Sequence, residues 1–396
     1  MKIAVLFHRI GPYHEARLTV AGRHGKLVAI ELSGNDETYA WDLLEAVDGF
    51  QRVTVFPDKD VDFEPPLIVR DQLWRTLTKY NPGVVVVAGW SASWALSAIQ
   101  WAANNKRPVV MLSASTEQDE VRSAWKETVK KRVLRFCGAA LVGGTPHVSY
   151  LTSLGMPKER IFTGYDTVDN AYFTAGAEQA RKEAKRLRRE LSLPQRYFMT
   201  TCRFIEKKNI FRLLKAYSIY RQQTDTDAWA LVLLGDGQLK GDYLQCCQEL
   251  RLEQSVIFPG FKQYHELPIY YALADAYIQA STTEQWGLVV NEAMACSLPV
   301  IVSEHCGCAV DLVKEGCNGF TFDPYDVDAL AGLMCKLSED ESMRETMGKE
   351  SLNIISRWTP GTFAEGLWKA VEMALKLPQL PMRFYDRGLL ELLIRR

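Results

Sequence analysis

Short apolar runs alternate with segments of helical spacing through the first part of the chain. Strands that are buried on both faces of a parallel sheet have such continuous apolar runs, whereas half-exposed strands alternate apolar and polar residues. Helical spacing is clearest at Leu67–Tyr80 and Ser93–Asn104. This alternation predicts a doubly wound α/β domain. Its predicted strands are Ile3–Phe7, Leu27–Leu32, Val53–Phe56, Val84–Ala88, Val109–Leu112 and Ala139–Val142.

The pattern stops at a charged helical segment, residues 174–191, and then begins again. The restart predicts a second α/β domain, and we place the hinge near residues 165–195. Because open α/β sheets bind ligands outside the carboxyl ends of their strands, two such domains predict a site where one crevice faces the other. The second set of predicted strands is Tyr197–Thr201, Ala230–Leu234, Val256–Phe258, Ala276–Gln279 and Val300–Val302. The predicted helices between and after them are Ile210–Gln222, Tyr243–Leu250, Tyr270–Leu273 and Leu288–Ala295.

The composition is that of an ordinary globular protein with balanced charge. The 396 residues include 47 basic and 48 acidic side chains, so the chain does not resemble a general nucleic-acid binder. Nine cysteines, an odd number spread over the chain, do not form a disulfide framework and fit a reducing compartment. The amino terminus lacks a signal-peptide pattern, and no run reaches the roughly 18 apolar residues of a membrane span. We therefore expect a cytoplasmic protein that is soluble or attached peripherally to a membrane.

The segment Ser281–Val302 carries the most informative chemistry. A glycine-containing loop there precedes the predicted helix Leu288–Ala295, and the amides and dipole of a helix start favour an anion such as phosphate. Glu284 lies just before this helix, and Glu292 lies about one turn inside it. Carboxylates repel a phosphate, so these two are better suited to accept hydrogen bonds from sugar hydroxyls. The residues alone leave a plainer interpretation open, an acid that favours the helix dipole and a solvated helical glutamate.

Seven residues separate the two acids in the stretch EQWGLVVNE. This stretch resembles the Glu–(seven residues)–Glu signature of retaining glycosyltransferases of the GT-B fold, in particular glycosyltransferase family 4. The resemblance implies that Glu284 contacts the donor sugar and that Glu292 contacts the nucleotide ribose. It also implies that the donor diphosphate is held by the loop residues Trp286, Gly287, Leu288 and Val289.

Two cations follow the first predicted strand of the second domain. Arg203 and Lys208, in the stretch TCRFIEKKN, are separated by four residues. Cations at the carboxyl end of a strand can neutralise a diphosphate leaving group, although two solvated loop cations are the plainer interpretation. The family has an Arg–(four residues)–Lys pair at this position, which implies this role for Arg203 and Lys208. Lys207 is a neighbouring candidate that lacks the spacing.

Three further segments resemble the family more weakly. Gly235 ends a strand with a glycine turn, as in the family's nucleotide pocket, and Gly260 and Phe261 follow a strand whose backbone would read the base. Residues 161–173, IFTGYDTVDNAYF, correspond to an interdomain segment that usually contains an Asn-Gly-Val-Asp run. The sequence departs from that run here, so we assign it no catalytic role.

The loop after the first strand, HRIGPYH, matches the position of a glycine loop that faces the donor phosphate and the acceptor in GT-B transferases. Gly11 would let the backbone approach a ligand closely. Arg9 and His14 are candidates for acceptor or phosphate contacts, and Trp90 could stack on an acceptor sugar. Ser113 stands near a position where many family members have a histidine. Each of these side chains could instead line a loop or complete the core.

Candidate metal ligands in the sequence do not form a convincing site. The Asp–x–Asp triplet Asp225–Asp227 precedes a strand instead of ending one. The triplets Asp58–Asp60 and Asp326–Asp328 are equally weak as metal motifs. The spacing of Cys306 and Cys308 does not suit zinc. We therefore predict no metal requirement and no cofactor beyond a nucleoside-diphosphate-sugar co-substrate, linked to UDP or GDP.

The resemblance thus implies a GT-B fold with two Rossmann-like domains, residues 1–170 and 171–375, that face each other across a cleft, and a carboxy-terminal helix at 376–396 that returns to the first. The predicted activity is retaining transfer of a sugar to a hydroxyl of a glycan, a lipid-linked sugar or a small-molecule glycoside. A nucleotide-sugar epimerase or phosphorylase, or a catalytically silent nucleotide-sugar-binding protein, remains an alternative. The basic segment Lys126–Phe136 is either a solvated helix face or, as in related transferases, a membrane contact.

Overall fold

The computed structural model describes residues 1–34, 49–120, 122–224 and 228–395. Its contacts divide the chain into two compact units. The first unit is Met1–Thr167 together with Trp358–Arg396, and the second unit is Val168–Arg357. Both units are built on an open sheet in which all paired neighbours run parallel, as the continuous apolar runs predict.

The sheet of the first unit has seven strands among the described residues. They are β1 (Lys2–Phe7), β2 (Lys26–Ser33), β3 (Gln51–Phe56), β4 (Val84–Ala88), β5 (Val109–Ser113), β6 (Ala139–Val142) and β7 (Ile161–Thr163). Their order across the sheet is β3-β2-β1-β4-β5-β6-β7. The order reverses between β1 and β4, and such a switch point is where open α/β sheets form ligand crevices at the carboxyl ends of their strands.

Helices cover the sheet of the first unit. They are α1 (Pro12–Gly22), α2 (Pro66–Tyr80), α3 (Ser93–Asn104), α4 (Ala124–Leu134), α5 (Thr145–Ser153), α15 (Pro360–Lys376) and α16 (Phe384–Ile394). Helix α15 buries an apolar stripe that includes Phe363, Leu367 and Val371 in the same cluster as Ile3 and Val5 of β1. The carboxy-terminal part of the chain therefore joins the first unit from Trp358 onward, whereas we expected the return at residue 376.

In its described residues, the second unit repeats the arrangement with six strands. They are β8 (Tyr197–Thr201), β9 (Ala230–Leu234), β10 (Val256–Gly260), β11 (Ala276–Gln279), β12 (Val300–Ser303) and β13 (Gly319–Phe322). Their order is β10-β9-β8-β11-β12-β13, so the switch point lies between β8 and β11. Its core includes Phe198, Leu231, Ile278 and Ile301, one from each of four neighbouring strands.

Nine helices of the second unit lie in the described part of the chain. They are α6 (Asn170–Lys182), α7 (Ala184–Glu190), α8 (Ile210–Gln223), α9 (Lys240–Glu249), α10 (Leu267–Leu273), α11 (Leu288–Ala295), α12 (Ala309–Leu312), α13 (Val327–Glu339) and α14 (Glu341–Ile355). The charged segment predicted as one helix over 174–191 is two helices that meet at Glu183. The first of these begins earlier than predicted, because the Asp169 side chain accepts the Tyr172 N–H and caps it.

Among the described residues, no helix is both long enough and apolar enough to cross a membrane. The basic segment near Lys126 forms the helix α4, in which Val133 and Leu134 are buried.

Candidate functional site

The loops that follow β8 and β11 flank the switch point of the second sheet. Asn209 ends the first of these loops in the left-handed conformation, with φ of 61°. Its side-chain Nδ2 donates to the carbonyl of Ala280 at 3.0 Å and to that of Pro324 at 2.8 Å. This buried amide therefore ties the loop after β8 to the end of β11.

Lys208 and Glu284, one from each loop, form an ion pair. The Lys208 Nζ contacts the Glu284 Oε2, and the two side chains are only 13% and 15% exposed. Burial acts to lower the pKa of the Lys208 ammonium, but the adjoining Glu284 carboxylate holds that pKa above its ordinary value. The structure thus brings a cation and a carboxylate from the two predicted motifs to one point.

The backbone around Glu284 is fixed by two neighbouring loops. The Gly307 N–H donates to the Glu284 carbonyl at 2.9 Å, and the Glu284 N–H donates to the His305 carbonyl at 3.3 Å. The Thr282 N–H donates to the Lys207 carbonyl at 2.9 Å. Loops from β8, β11 and β12 are therefore joined by main-chain hydrogen bonds, which hold the ion pair in a defined place.

Helix α11 begins at Leu288, four residues after Glu284. Gly287 is its N-cap residue and has φ of 101°, a conformation that favours glycine. The N–H groups of Leu288 and Val289 lie in the first turn, where a helix has no intrahelical acceptors. The Trp286 ring is buried, and its Nε1 donates to the Asn291 Oδ1 at 2.9 Å. Trp286 can therefore offer a ligand its backbone but not its ring.

Glu292 is wholly buried on α11. The Tyr271 hydroxyl donates to its Oε2 at 2.7 Å. The plainer sequence interpretation, a solvated helical glutamate, is wrong for this residue. A buried carboxylate needs donors around it, and Tyr271 supplies one of them.

The two predicted cations differ in their surroundings. Arg203 is exposed, whereas Lys208 is nearly buried against Glu284. Lys207, the alternative lysine, is exposed, and its carbonyl group rather than its ammonium takes part in the loop contacts. Within this stretch, then, the structure places Lys208 at Glu284 and leaves Lys207 toward solvent.

The loops after β9 and β10 lie beside the loop after β8. A side chain at Gly235 would place its Cβ 1.9 Å from the Cys202 carbonyl oxygen, so the two loops can meet only at a glycine. The Gly235 N–H donates to the Gly260 carbonyl at 3.0 Å. Phe261 follows and is 44% exposed. The three residues predicted to form a nucleotide pocket are thus close together along the same edge of the sheet.

In the first unit, the loop after β1 leads into α1 through Gly11. The Gly11 N–H donates to the His14 Nδ1 at 3.3 Å, and the His14 ring lies 4.3 Å from that of Phe7. Burial, with a smaller contribution from Arg17, lowers the pKa of His14 to about 3. His14 is therefore neutral at physiological pH, with its ring proton on Nε2.

Glu31 is a buried residue of this region that sequence reasoning missed. Its Oε2 accepts the Ile10 N–H at 3.1 Å, while Arg52 and Thr54 donate to the same carboxylate at 2.8 and 2.6 Å. Glu31 thereby anchors the backbone next to Gly11. The signal in the sequence was a single acid at the end of the apolar run LVAIEL, and nothing in that run identifies its partners.

The other first-unit candidates are built into their surroundings. Trp90 is half-buried, packs against the core and lies edge-on to Tyr150 with ring centres 6.4 Å apart. Ser113 is buried at the end of β5, where its hydroxyl accepts the Ser115 N–H at 3.3 Å. Arg9 is partly exposed in the loop after β1.

Among the described residues, His8, Asp60 and Asp62 are the one group with enough side-chain ligands close together for a metal ion. The His8 Nε2 lies 3.5 Å from the Asp60 Oδ1, and Asp62 is largely exposed. Such ion pairs are common at protein surfaces without a metal. The triplet Asp225–Asp227 lies outside the described residues, and Asp326 caps α13 by accepting the Ala329 N–H.

Comparison with solved structures identifies the fold. The chain superposes on the Anabaena protein HepE, solved with UDP, with a TM-score of 0.72 and 19% identity over 94% of this chain and all of that one. It also superposes on sucrose-phosphate synthase from Thermosynechococcus elongatus with a TM-score of 0.72 and 18% identity, covering 95% and 99% of the two chains. The protein has the GT-B fold, as the resemblance implied.

Sequence comparison then identifies the family of the second unit. Residues 181–353 match the family model described as glycosyl transferases group 1, so this unit is a group 1 glycosyltransferase domain. N-acetyl-alpha-D-glucosaminyl L-malate synthase of Bacillus anthracis is 28% identical over 49% of this chain. Alpha-monoglucosyldiacylglycerol synthase of Streptococcus pneumoniae is 33% identical over 31% of this chain and 28% of the relative. The first of these alignments spans about half the length of the curated relative.

Proposed function

We propose that this protein is a retaining glycosyltransferase that moves a sugar from a UDP- or GDP-linked donor to an acceptor hydroxyl. The observation that carries the proposal is the contact between Lys208 and Glu284 beside the open first turn of α11. A cation, a carboxylate and a helix start there complement the phosphates and the hydroxyls of a sugar diphosphate. The group 1 family match and the UDP complex of HepE support this reading.

In this proposal the second unit binds the donor. Lys208 and Arg203, with the N–H groups at the start of α11, stabilise the charge that develops on the departing diphosphate. Glu284 accepts hydrogen bonds from the sugar, and Glu292 accepts them from the ribose. The nucleotide base lies against Gly235, Gly260 and Phe261.

The proposed transfer needs no enzyme nucleophile. The bond between the anomeric carbon and the diphosphate oxygen breaks, and a bond from that carbon to the acceptor oxygen forms on the same face. The acceptor proton passes to the leaving phosphate oxygen. Both carboxylates are then occupied in binding, and the mechanism we propose uses neither a metal ion nor another cofactor.

The acceptor is a carbohydrate, a glycolipid or a small-molecule glycoside in this proposal. Its binding falls to the first unit, where Arg9, His14, Trp90 and Ser113 are the candidate contacts beside Gly11. We further propose a cytoplasmic protein whose basic helix α4 contacts a membrane surface when the acceptor is lipid-linked.

Ligand-induced thermal shift tests donor binding directly. UDP, GDP, UDP-glucose, UDP-N-acetylglucosamine and GDP-mannose are each added to the purified protein. A ligand at 100 times its Kd stabilises the folded state by about 2.7 kcal/mol. The ligands that carry the preferred base should therefore raise Tm clearly. A protein that responds to none of the five would contradict the proposed function.

Kinetics of Arg203→Ala test the assigned role of this cation. Because the diphosphate gains charge as it leaves, the variant should lower kcat far more than it raises the donor KM. Product analysis by NMR should show the anomeric configuration of the donor retained. Weaker donor binding with unchanged turnover would contradict the role of Arg203, and an inverted product would contradict the retaining mechanism.

A further inference from the structure

A row of buried polar side chains leads to Glu284 from inside the second sheet. Tyr277, Gln279 and Ser281 lie two residues apart on β11 and directly after it, and all three are buried. Alternate residues of a strand point to the same face of a sheet, so this spacing places the three side chains in one line. Polar groups in a sheet core need partners, and these find them in one another.

The hydrogen bonds of the row run in one direction. The Tyr277 hydroxyl donates to the Gln279 Oε1 at 2.8 Å, and the Gln279 Nε2 donates to the Ser281 Oγ at 2.8 Å. The Gln279 Nε2 and the Ser281 hydroxyl each lie 3.4 Å from the Glu284 Oε2. Because a carboxylate only accepts, the amide must turn its nitrogen toward Glu284, and Tyr277 supports that orientation by donating to the amide oxygen.

The two oxygens of Glu284 therefore have different surroundings. Lys208, Gln279 and Ser281 all meet the carboxylate at Oε2. In the part of the chain that the structure describes, no side-chain donor contacts Oε1. The protein thus anchors one oxygen and leaves the other to accept a hydrogen bond from a ligand.

Donor binding would disturb this arrangement at Lys208. Under the proposed function, on which this inference rests, Lys208 turns toward the diphosphate, and Oε2 then loses its nearest cation. Gln279 and Ser281 remain as its donors, since both belong to the buried row and not to the ligand-facing surface. An apolar side chain at position 279 would remove one of the two remaining hydrogen-bond donors to Oε2 while the sugar is bound.

We propose that Gln279, assisted by Ser281, is a positioning residue that keeps the Glu284 carboxylate aimed at the donor sugar while Lys208 engages the diphosphate. Its contribution goes to recognition of the sugar and not to recognition of the nucleotide. Gln279 acts through Glu284 and does not itself touch the donor.

The test separates binding of the sugar from binding of the nucleoside diphosphate. Gln279→Met keeps the length of the side chain and removes its three hydrogen bonds, to Tyr277, Ser281 and Glu284. Tyr277 retains the Thr201 carbonyl, 3.4 Å away, as a second acceptor. Ser281→Ala removes one donor with little change in volume. Thr200→Val is the matched control, because the buried Thr200 hydroxyl donates to the Ile278 carbonyl at 2.7 Å and is not part of the row.

Calorimetry gives the Kd of UDP or GDP, whichever the wild type prefers, and the Kd of a sugar derivative of the same nucleotide (UDP-glucose, UDP-N-acetylglucosamine or GDP-mannose). The Kd of the diphosphate divided by the Kd of its sugar derivative measures the affinity that the sugar adds. In Gln279→Met we expect this ratio to fall roughly tenfold, the size of a lost hydrogen bond to a charged group, with the diphosphate Kd within about twofold of wild type. Ser281→Ala should move the ratio in the same direction by less, and Thr200→Val should leave it unchanged.

Two results would overturn the inference while the proposed function stands. One is a wild-type ratio in a folded Gln279→Met protein, and the other is an equal loss of affinity for diphosphate and nucleotide sugar, which marks a general structural effect. If Gln279→Met does not fold, Ser281→Ala, with its Tm recorded, decides by the same ratio. A wild-type protein that binds neither diphosphate defeats the proposed function and this inference with it.

Discussion

The carboxyl edges of the two sheets share a topology but differ in what their loops bring together. At the edge of the second sheet, loops from three strands hydrogen-bond to one another and hold the nearly buried ion pair of Lys208 and Glu284. At the edge of the first sheet, Glu31 holds the loop backbone, while the candidate side chains His14 and Trp90 pack on aromatic neighbours. The predicted site of the second sheet thus contains a charge pair, whereas these two candidates of the first sheet are neutral rings.

This difference matches what each unit would have to recognise. Every nucleoside-diphosphate sugar carries the same pyrophosphate, so its site needs charges in fixed positions. Acceptors differ in shape and in hydroxyl pattern, and under the proposed function neutral groups such as the His14 imidazole and the Trp90 ring recognise them by contact and single hydrogen bonds. The comparison therefore predicts large kinetic effects from charge removal in the second unit and effects on stability from changes in the first.

Lys208→Ala is the strongest test of the difference between the two sheet edges. Under the proposed function Lys208 faces the leaving diphosphate, so its removal should lower kcat by roughly 10²- to 10³-fold, with a smaller change in donor KM. The neighbouring Lys207→Ala is the matched control, since its side chain points to solvent and should leave kcat within about twofold. An equal loss of kcat in both variants would show that position 208 has no special role.

The placement of Lys208 and Glu284 at one edge of the second sheet could be anticipated from the sequence because it depends on chain topology, whereas the ion pair between them was not predicted. Arg203, Lys208 and Glu284 follow predicted strands, and the carboxyl ends of parallel strands meet at one edge of a sheet. The surrounding network could not be anticipated in the same way. Gln279 and Glu31 are single polar residues in apolar runs, and a run does not say which atoms will lie opposite them.

The fold shows the same limit at other places. Strands such as Val84–Ala88 and Tyr197–Thr201 have the predicted bounds because their apolar runs are continuous. Strand β7 has three residues and was too short to give a pattern. The apolar stripe of α15 predicts a packed helix, but the stripe alone does not tell which of two similar sheets it covers.

Acid should weaken the first unit through His14. Its pKa of about 3 in the folded protein lies below the ordinary value of 6.5, so the unfolded chain binds this proton first. The stability contributed by the neutral ring is complete above pH 6.5 and is lost as the pH falls toward 3. The expected slope is up to about 1.4 kcal/mol per pH unit, measured by urea unfolding between pH 7 and pH 4.5.

Replacement of His14 isolates this contribution. His14→Asn keeps an oxygen that can accept the Gly11 N–H but cannot titrate in this range, so the acid slope of its unfolding free energy should be flatter than that of wild type. His24→Asn serves as the control, because His24 is exposed and its solvation changes little on folding. A wild-type slope in His14→Asn would show that the His14 imidazole is not the group responsible.

Tyr271→Phe tests whether the stability of the second unit depends on hydrogen-bond donors to its buried carboxylate, Glu292. The change removes the hydroxyl that donates to the buried Glu292 and should lower the unfolding free energy by about 2 kcal/mol. Tyr197→Phe removes an equally buried hydroxyl that donates to a neutral carbonyl, that of Tyr270, and should cost about half as much. Equal losses in the two variants, measured by urea unfolding, would mean that Glu292 is not a charged acceptor in the folded protein.

Gly287→Ala tests whether the start of α11 is part of the proposed anion site. A Cβ at Gly287 meets only ordinary contacts, the nearest being the Glu284 Cγ at 3.5 Å, so the cost should come from the backbone conformation and not from a clash. An alanine forced to a φ near 101° loses about 1–2 kcal/mol, and relaxation toward negative φ would turn the first N–H groups of α11 away from the proposed phosphate position. The variant should therefore lose a small amount of stability together with affinity for UDP or GDP.

The control for Gly287→Ala is Gly241→Ala in α9. Gly241 lies in a helix with open space around its Cα, so alanine there should stabilise the protein by up to about 1 kcal/mol and leave diphosphate affinity unchanged. If Gly287→Ala kept wild-type affinity while losing stability, the first turn of α11 would be a structural turn and not an anion site. The proposed diphosphate site would then depend on the side chains of Lys208 and Arg203 and not on the amides of α11.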